Sequence, residues 1–187
     1  MILYPEVKYM RFDSSRHITG LRSLILDSVK HIQKKNINIP DIKMLELGSY
    51  NGESTFLFSS IIKNITVVEP FKNGYDENDE SSYANMIKVR KNFEYLNSEN
   101  KNLIKLKEVV SDEFFYNNKE YFHWIYIDAC HKYDNIKKDI QNSINLKPII
   151  ISGHDFSNNG VNRAVLENFK DIEVLRYEDD SWMVKIL

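Results

Sequence analysis

The sequence predicts an α/β fold in which helices cover both faces of a doubly wound, seven-stranded, mostly parallel sheet. Short apolar runs alternate with amphipathic segments of helical spacing, which is typical of repeated β-α units. The run at 148–152, PIIIS, is continuously apolar, as expected for a strand buried on both faces of a parallel sheet. The last two apolar runs, IEVLRY and SWMVKIL, are separated only by EDD. This connection is too short for a parallel crossover, so an antiparallel hairpin should form the C-terminal part of the sheet.

The individual elements follow from the same patterns. The first helix is expected over residues 18–33, where apolar side chains recur on one helical face. Further helices are expected at 53–62, 83–96, 133–144 and 160–169, and strands at 42–47, 65–70, 103–110, 122–129 and 148–152. The acidic stretch from Lys72 to Ser82 is interpreted as a solvated loop, with a loop that covers the cofactor or repels anionic substrates as the alternative. Because no repeat or linker divides the chain, we expect a single domain over 1–187, with residues 1–40 as an N-terminal segment and helix. Within that segment, RFDSSRHITG is a candidate lid over the active site.

Composition excludes several classes of protein. The net charge of -2 gives no overall basic field for nucleic acid or for an anionic membrane surface. No stretch approaches the roughly 20 apolar residues of a membrane span. The single cysteine, Cys130, forms no intrachain disulfide, so a cytoplasmic location is expected.

The turn after the first strand carries the first candidate site. In MLELGSYNGES, Glu46 precedes Gly48 and Gly52, and glycine allows both positive φ and close approach of backbone to a ligand. In an open α/β sheet, ligands bind beyond the carboxyl ends of the strands. Glu69 ends the second strand, where a carboxylate can accept both ribose hydroxyls of a nucleoside. Tyr50 occupies a position that the GxGxxG pattern reserves for glycine, which argues against a nicotinamide dinucleotide.

These residues resemble the class I S-adenosylmethionine-dependent methyltransferases. The family's E/DxGxxxG motif is seen as Glu46 to Gly52, its second-strand acid as Glu69 in VVEPF, and its terminal hairpin as the last two strands. The resemblance implies a Rossmann-like fold of seven strands with S-adenosylmethionine as cofactor. It also implies a set of cofactor-binding residues: Glu46, Gly48, Ser49, Tyr50, Asn51 and Gly52 near the methionine part, Glu69 at the ribose, Pro70, Phe71, Ser111 and Asp112 near the adenine, and Asp128.

A second candidate site lies at the ends of the fourth and fifth strands. Asp128 and His131 follow one strand in IDACHKY, and His154 and Asp155 follow the other in GHD. Neighbouring strands lie about 4.8 Å apart, so these side chains should converge. The two motifs resemble a branch of small methyltransferases with IDxxHxY and GHD turns.

Two chemical roles are open for this second site. Asp128, His154 and Asp155 could bind a divalent metal ion such as Mg²⁺. Alternatively, Asp128, His131 and His154 act directly as catalytic residues, with a histidine as general base. A third interpretation gives these residues only structural roles: Asp128 caps the following helix, and His154 forms a hydrogen bond with a backbone carbonyl.

The expected function is S-adenosylmethionine-dependent O-methylation of a small hydroxylated molecule such as a sugar or glycan unit. An oxygen nucleophile needs a base or a metal, and the second site offers candidates for both. The alternative is a methyltransferase-like domain that binds the cofactor or a partner without turnover. The expected partner is a small-molecule acceptor, with no nucleic acid and no membrane. The chain has few additions between its strands, so the pocket is either open or completed by the second subunit of a homodimer.

Overall fold

The computed structural model describes residues 15–77 and 79–187, with side chains from Ile18 onwards. Residues 11–14 of the candidate lid RFDSSRHITG lie outside the described residues, and its other six residues form the start of the first helix. The helices are α1 (Ser15–Gln33), α2 (Glu53–Ser59), α3 (Met86–Leu96), α4 (Ser111–Asn117), α5 (Tyr133–Asn145) and α6 (Asn159–Asn168). The strands are β1 (Lys43–Leu47), β2 (Asn64–Val68), β3 (Ile104–Lys107), β4 (Trp124–Ile127), β5 (Ile150–Gly153), β6 (Val174–Arg176) and β7 (Trp182–Lys185).

The seven strands form one sheet in the order β3-β2-β1-β4-β5-β7-β6. The first five strands of the chain are parallel, and β7 pairs antiparallel with both β5 and β6. The predicted fold class and the terminal hairpin are therefore confirmed. The order reverses between β1 and β4, which is the switch point where open α/β sheets bind ligands.

The register of the parallel strands aligns their carboxyl ends. Leu47 lies opposite Val68 on one side and Ile127 on the other, and Ile127 lies opposite Gly153. The turns after β1, β2, β4 and β5 therefore all begin at one edge of the sheet. The functional side chains predicted from the sequence follow directly on these four strands.

Apolar side chains fill both faces of the sheet. On one face, Phe58 of α2 packs edge to face on Trp124 and Tyr126, with ring centroids 5.3 and 4.9 Å apart. On the other face, Trp182 of the hairpin packs among residues of α5 and α6. Such aromatic pairs contribute about 0.5–1.5 kcal/mol beyond the area they bury. This packing holds the strand ends, and with them the site, in fixed positions.

Three elements differ from the sequence prediction. Helix α4 was not predicted, and of its seven residues only Phe114 is buried, so the sequence carries little periodicity there. Helix α3 begins at Met86 rather than near Tyr83, because 80–83 form a short 3-10 turn capped by Asp79. Strand β2 ends at Val68, which places Glu69 and Pro70 in the following loop.

Candidate active site

Two adjoining cavities open at the carboxyl edge of the sheet. The first, of about 90 Å³, is called the histidine cavity because His131 and His154 line it. The second, of about 160 Å³, is called the Glu69 cavity. Four residues line both cavities: Tyr50, Tyr75, Asp128 and Ala129. The two spaces thus meet at the ends of β1 and β4, where a single extended ligand could occupy both.

The turn after β1 depends on Gly48. Its φ is +80°, and a Cβ placed there would lie 2.1 Å from the backbone oxygen of Asp128. No other residue type allows the β1 turn to approach the end of β4 so closely. Tyr50 in the same turn also has positive φ, +47°. Strained backbone of this kind is concentrated at ligand-binding sites.

Glu69 connects the β1 turn to the end of β2. One carboxylate oxygen accepts hydrogen bonds from the backbone N–H groups of Ser49 and Tyr50, both at 3.0 Å, and the other accepts from Phe71 N–H at 2.8 Å. An ionised carboxylate offers about four lone-pair positions, so further donors can still bind. The carboxylate is therefore held in one orientation at the wall of its cavity.

The structure places most of the predicted cofactor residues around the two cavities. Gly48, Glu69, Pro70 and Ser111 line the Glu69 cavity, Ser49 and Asn51 line the histidine cavity, and Tyr50 and Asp128 line both.

Four predicted cofactor residues have other positions in the structure. Glu46 is fully buried behind the cavity wall, where its oxygens accept hydrogen bonds from Ser54 Oγ at 2.5 Å and Thr55 Oγ1 at 2.6 Å. It joins the end of β1 to the start of α2. Gly52 is the N-cap of α2, with φ +82°. Its side-chain position faces Phe93 and Asn97 rather than a cavity.

The other two residues are directed away from the cavities by their packing partners. The ring of Phe71 packs edge to face on Phe93, with centroids 5.8 Å apart. The carboxylate of Asp112 forms an exposed ion pair with Lys138 at 2.6 Å. The family resemblance placed both residues near the adenine, but a resemblance in sequence does not determine the direction of a side chain.

The histidine cavity contains a cluster of carboxylates and imidazoles. His131 Nε2 lies 3.0 Å from Asp155 Oδ2 and 3.9 Å from Asp128 Oδ1. Ligand atoms of these three residues lie within 4.8 Å of one another, close enough to share a metal ion. His131 Nε2 is buried and makes no well-directed hydrogen bond among the described residues, so it is available as a ligand atom.

His154 makes the backbone contact that the structural interpretation named. Its Nε2 lies 2.5 Å from the backbone oxygen of Asp179 in the hairpin turn, and its Nδ1 lies 3.1 Å from Asp155 Oδ2. Both ring nitrogens thus face oxygens that accept hydrogen bonds. The cluster that could hold a metal accordingly contains His131 where the sequence analysis had His154. The predicted bond of His154 to a backbone carbonyl is present, whereas the N-cap of α5 is Lys132 rather than Asp128.

The electrostatics of the cluster favour positive charge. Burial by itself would lower the pKa of His131, but the nearby carboxylates of Asp128 and Asp155 outweigh it and raise that pKa to about 11. Burial would raise the pKa of Asp155, but His131 and His154 hold it far below its ordinary value.

Several cavity residues were not identified from the sequence. Tyr75, Asp79 and Ser81 belong to the acidic loop that was interpreted as solvated, yet all three line the histidine cavity. Met86, Val110 and Asn135 line the Glu69 cavity. The acidic loop lacks apolar periodicity, and no local sequence signal indicated that it folds back over the strand ends.

Comparison with known proteins agrees with this geometry. A family model described as a methyltransferase domain matches residues 45–150, more than half of the chain. No curated protein sequence matches. Among the described residues, no helix has the length and apolar character needed to cross a bilayer.

Solved structures share the fold at low sequence identity. Cofactor-bound Rv0187 from MTB is 14% identical, with a TM-score of 0.61 over 97% of this chain and 83% of that one. The N-methyltransferase NodS from Bradyrhizobium japonicum WM9, in complex with S-adenosylhomocysteine, is 11% identical, with a TM-score of 0.62 over 97% and 92%. An O-methyltransferase from Bacillus cereus, also with S-adenosylhomocysteine, is 13% identical, with a TM-score of 0.52 over 88% and 90%. The match to the family model, the sheet order and the cavities at the switch point agree. The chain therefore belongs to the methyltransferase domain family, of the class I S-adenosylmethionine-dependent type.

Proposed function

We propose that the protein binds S-adenosylmethionine and transfers its methyl group to a hydroxyl of a small acceptor, such as a sugar or glycan unit. The observation that carries this proposal is the Asp128–His131–Asp155 cluster in a cavity that meets the Glu69 cavity. The arrangement provides adjoining spaces for a cofactor and for an acceptor. Family membership supports the cofactor, and the chemistry of the cluster supports oxygen as the nucleophile.

The Glu69 cavity suits a nucleoside. Glu69 can accept hydrogen bonds from ribose hydroxyls, and the apolar side chains of Met86 and Val110 suit the faces of an adenine ring. Ser111 and Asn135 offer polar groups in the same wall. S-adenosylmethionine supplies a methyl group on a sulfonium sulfur, which is already activated for displacement. The remaining task of the protein is to align a nucleophile with that carbon and to take up its proton.

The cluster suits a divalent cation. Two carboxylates and one imidazole nitrogen are ligands that Mg²⁺ or a softer divalent ion accepts, and binding of the ion through His131 Nε2 would release the proton from that nitrogen. A bound divalent cation would lower the pKa of an acceptor hydroxyl. The contacts of His154 argue against His154 as the general base, because both of its nitrogens already face acceptor oxygens.

Calorimetric titration of the purified protein tests both parts of this proposal. S-adenosylhomocysteine should bind saturably, and Mn²⁺ should bind the wild type but not the Asp155→Asn variant. S-adenosylhomocysteine should bind this variant normally, since Asp155 does not line the Glu69 cavity. Asp134→Asn, an exposed acid at the start of α5, is the matched control and should leave both ligands unaffected.

Specific outcomes would contradict the proposal. Failure of the wild type to bind S-adenosylhomocysteine would exclude the cofactor and favour the alternative of a partner-binding domain. Normal cofactor binding with no response to Mn²⁺ would retain methyl transfer and exclude the metal. Equal loss of Mn²⁺ binding in the Asp134→Asn control would show that the metal binds surface charge rather than the cluster.

A further inference from the structure

The turn of the terminal hairpin between β6 and β7, residues 177–181, lies against the loop that carries Asp155. Phe156 N–H donates a hydrogen bond to the backbone oxygen of Asp180 at 3.1 Å. Ser157 donates two to Asp180 Oδ2, one from its N–H at 2.9 Å and one from its Oγ at 2.5 Å. The two residues that follow Asp155 are therefore both bonded to a single residue of the hairpin turn.

The position of the Asp155 carboxylate depends on the backbone of this loop. Asp155 has a φ of +55°, a conformation that residues other than glycine rarely adopt. In this conformation its Oδ2 lies 3.0 Å from His131 Nε2 and 3.1 Å from His154 Nδ1. Backbone of this kind persists only where the surrounding structure fixes it. The hydrogen bonds to the hairpin turn supply such a constraint directly after Asp155.

The hairpin turn is itself held in place. Asp179 is 1% exposed, and its carboxylate accepts hydrogen bonds from Ser181 N–H at 3.2 Å and Ser181 Oγ at 2.7 Å. Helix α1 packs on the turn at Gly20, where a Cβ would lie 2.4 Å from the backbone nitrogen of Asp179. Asp180 N–H donates to Tyr177 O at 3.1 Å across the turn. Asp180 is thus presented to the neighbouring loop from a fixed support.

We propose that Asp180 is a positioning residue for the cluster in the histidine cavity. It acts through the backbone of Phe156 and Ser157 and keeps Asp155 at positive φ, with its carboxylate directed at His131. Asp180 is not among the residues that line either cavity, so it acts without touching cofactor or acceptor. The consequence for metal binding rests on the proposed function, whereas the conformation of Asp155 can be observed without a ligand.

The test compares Asp180→Gly with Asp180→Asn. Asp180 has a φ of +70°, which glycine and asparagine both tolerate. Asparagine keeps an oxygen that can accept both hydrogen bonds from Ser157, and glycine has no side-chain acceptor. Both variants lack the negative charge. A difference between them therefore measures the hydrogen bonds to Ser157 rather than charge or backbone strain.

The readouts are crystal structures and calorimetric titrations of the wild type and both variants. In the wild type and in Asp180→Asn, Asp155 should keep its positive φ and its contact with His131. In Asp180→Gly, Asp155 Oδ2 should move beyond hydrogen-bond distance of His131 Nε2. The Kd for Mn²⁺ should rise roughly tenfold in Asp180→Gly and less than about twofold in Asp180→Asn. The Kd for S-adenosylhomocysteine should be the same in both, since Asp155 does not line the Glu69 cavity.

An unchanged Asp155 conformation in Asp180→Gly, or an equal loss of Mn²⁺ affinity in both variants, would overturn the assignment. Should Asp180→Gly fail to fold, Ser157→Ala removes the Oγ hydrogen bond from the other partner. This variant should raise the Kd for Mn²⁺ by about two- to fivefold, and an unchanged Kd would also overturn the assignment. If the wild type does not bind Mn²⁺, the metal part of the proposed function fails, and the conformation of Asp155 in the crystal structures still decides the role of Asp180.

Discussion

Replacing the buried Asp139 with asparagine should stabilise the protein, and only above mildly acidic pH. Asp139 lies on α5 and is 3% exposed. Burial raises the pKa of its carboxyl to about 6, against an ordinary value of 3.8, although a hydrogen bond from Ser111 opposes the shift. In the native state the carboxylate is therefore less stable than in the unfolded chain. Asparagine has no charge and keeps an oxygen for the Ser111 hydroxyl.

The magnitude follows from proton linkage. Below pH 3.8 both states hold the proton and ionisation of Asp139 costs nothing. As the pH rises from 3.8 to about 6, the native state binds more protons than the unfolded state, so stability falls. Above about 6 the full cost is present, with an upper limit of about 3 kcal/mol at about 1.4 kcal/mol per pH unit.

Urea unfolding of wild type and Asp139→Asn at several pH values measures this effect. The variant should be more stable by about 1–3 kcal/mol at pH 8, and the gain should shrink steadily below pH 6. Asp134→Asn, exposed on the same helix, should change stability by less than about 0.5 kcal/mol. A gain that is equal at pH 5 and pH 8, or a loss at pH 8, would refute the argument from burial.

Three further predictions follow from the site. Gly48→Ala should destabilise the protein by about 2–5 kcal/mol, since its Cβ would meet the backbone of Asp128. Gly74→Ala, also at positive φ but with no atom within 4 Å, should cost only about 1–2 kcal/mol in the same unfolding assay. Glu46→Ala removes the acceptor of two buried hydroxyls and should cost about 2–5 kcal/mol, measured likewise; a neutral result would mean that the hydroxyls find other partners. Glu69→Ala should raise the Kd for S-adenosylhomocysteine about 10- to 100-fold in calorimetry, and an unchanged Kd would remove Glu69 from the cofactor site.

The sequence was sufficient to predict the sheet and the edge at which the site lies. The run PIIIS is apolar over almost the length of a strand, and IKMLEL is apolar apart from Lys43 and Glu46, so burial in a sheet leaves few other interpretations. Parallel pairing then aligns the strand ends. Glu69, Asp128 and His154 were predicted at one edge because each follows directly on a strand.

The orientation of individual side chains could not be predicted in the same way. Asp112 was placed near the adenine by its position after β3, but the exposed ion pair with Lys138, 26 residues away, directs it elsewhere. The acidic loop was interpreted as solvated because its residues are polar. Its partners are 55 positions away in the β4–α5 turn, and no local pattern reveals contacts at that separation.

The roles of the two histidines are decided by segments outside the strand ends that carry them. The hairpin turn offers the backbone oxygen of Asp179 to His154 Nε2, which turns Nδ1 towards Asp155 and removes His154 from the candidate metal cluster. His131 Nε2 lies 3.0 Å from the same Asp155, and His131 Nδ1 lies 3.8 Å from Asp79 Oδ2 in the β2–α3 loop. Asp155, itself at a positive φ of +55°, lies between the two rings. The motifs IDACHKY and GHD therefore specify which chemical groups lie at the site. The tertiary fold decides which atoms each of the two histidine rings faces.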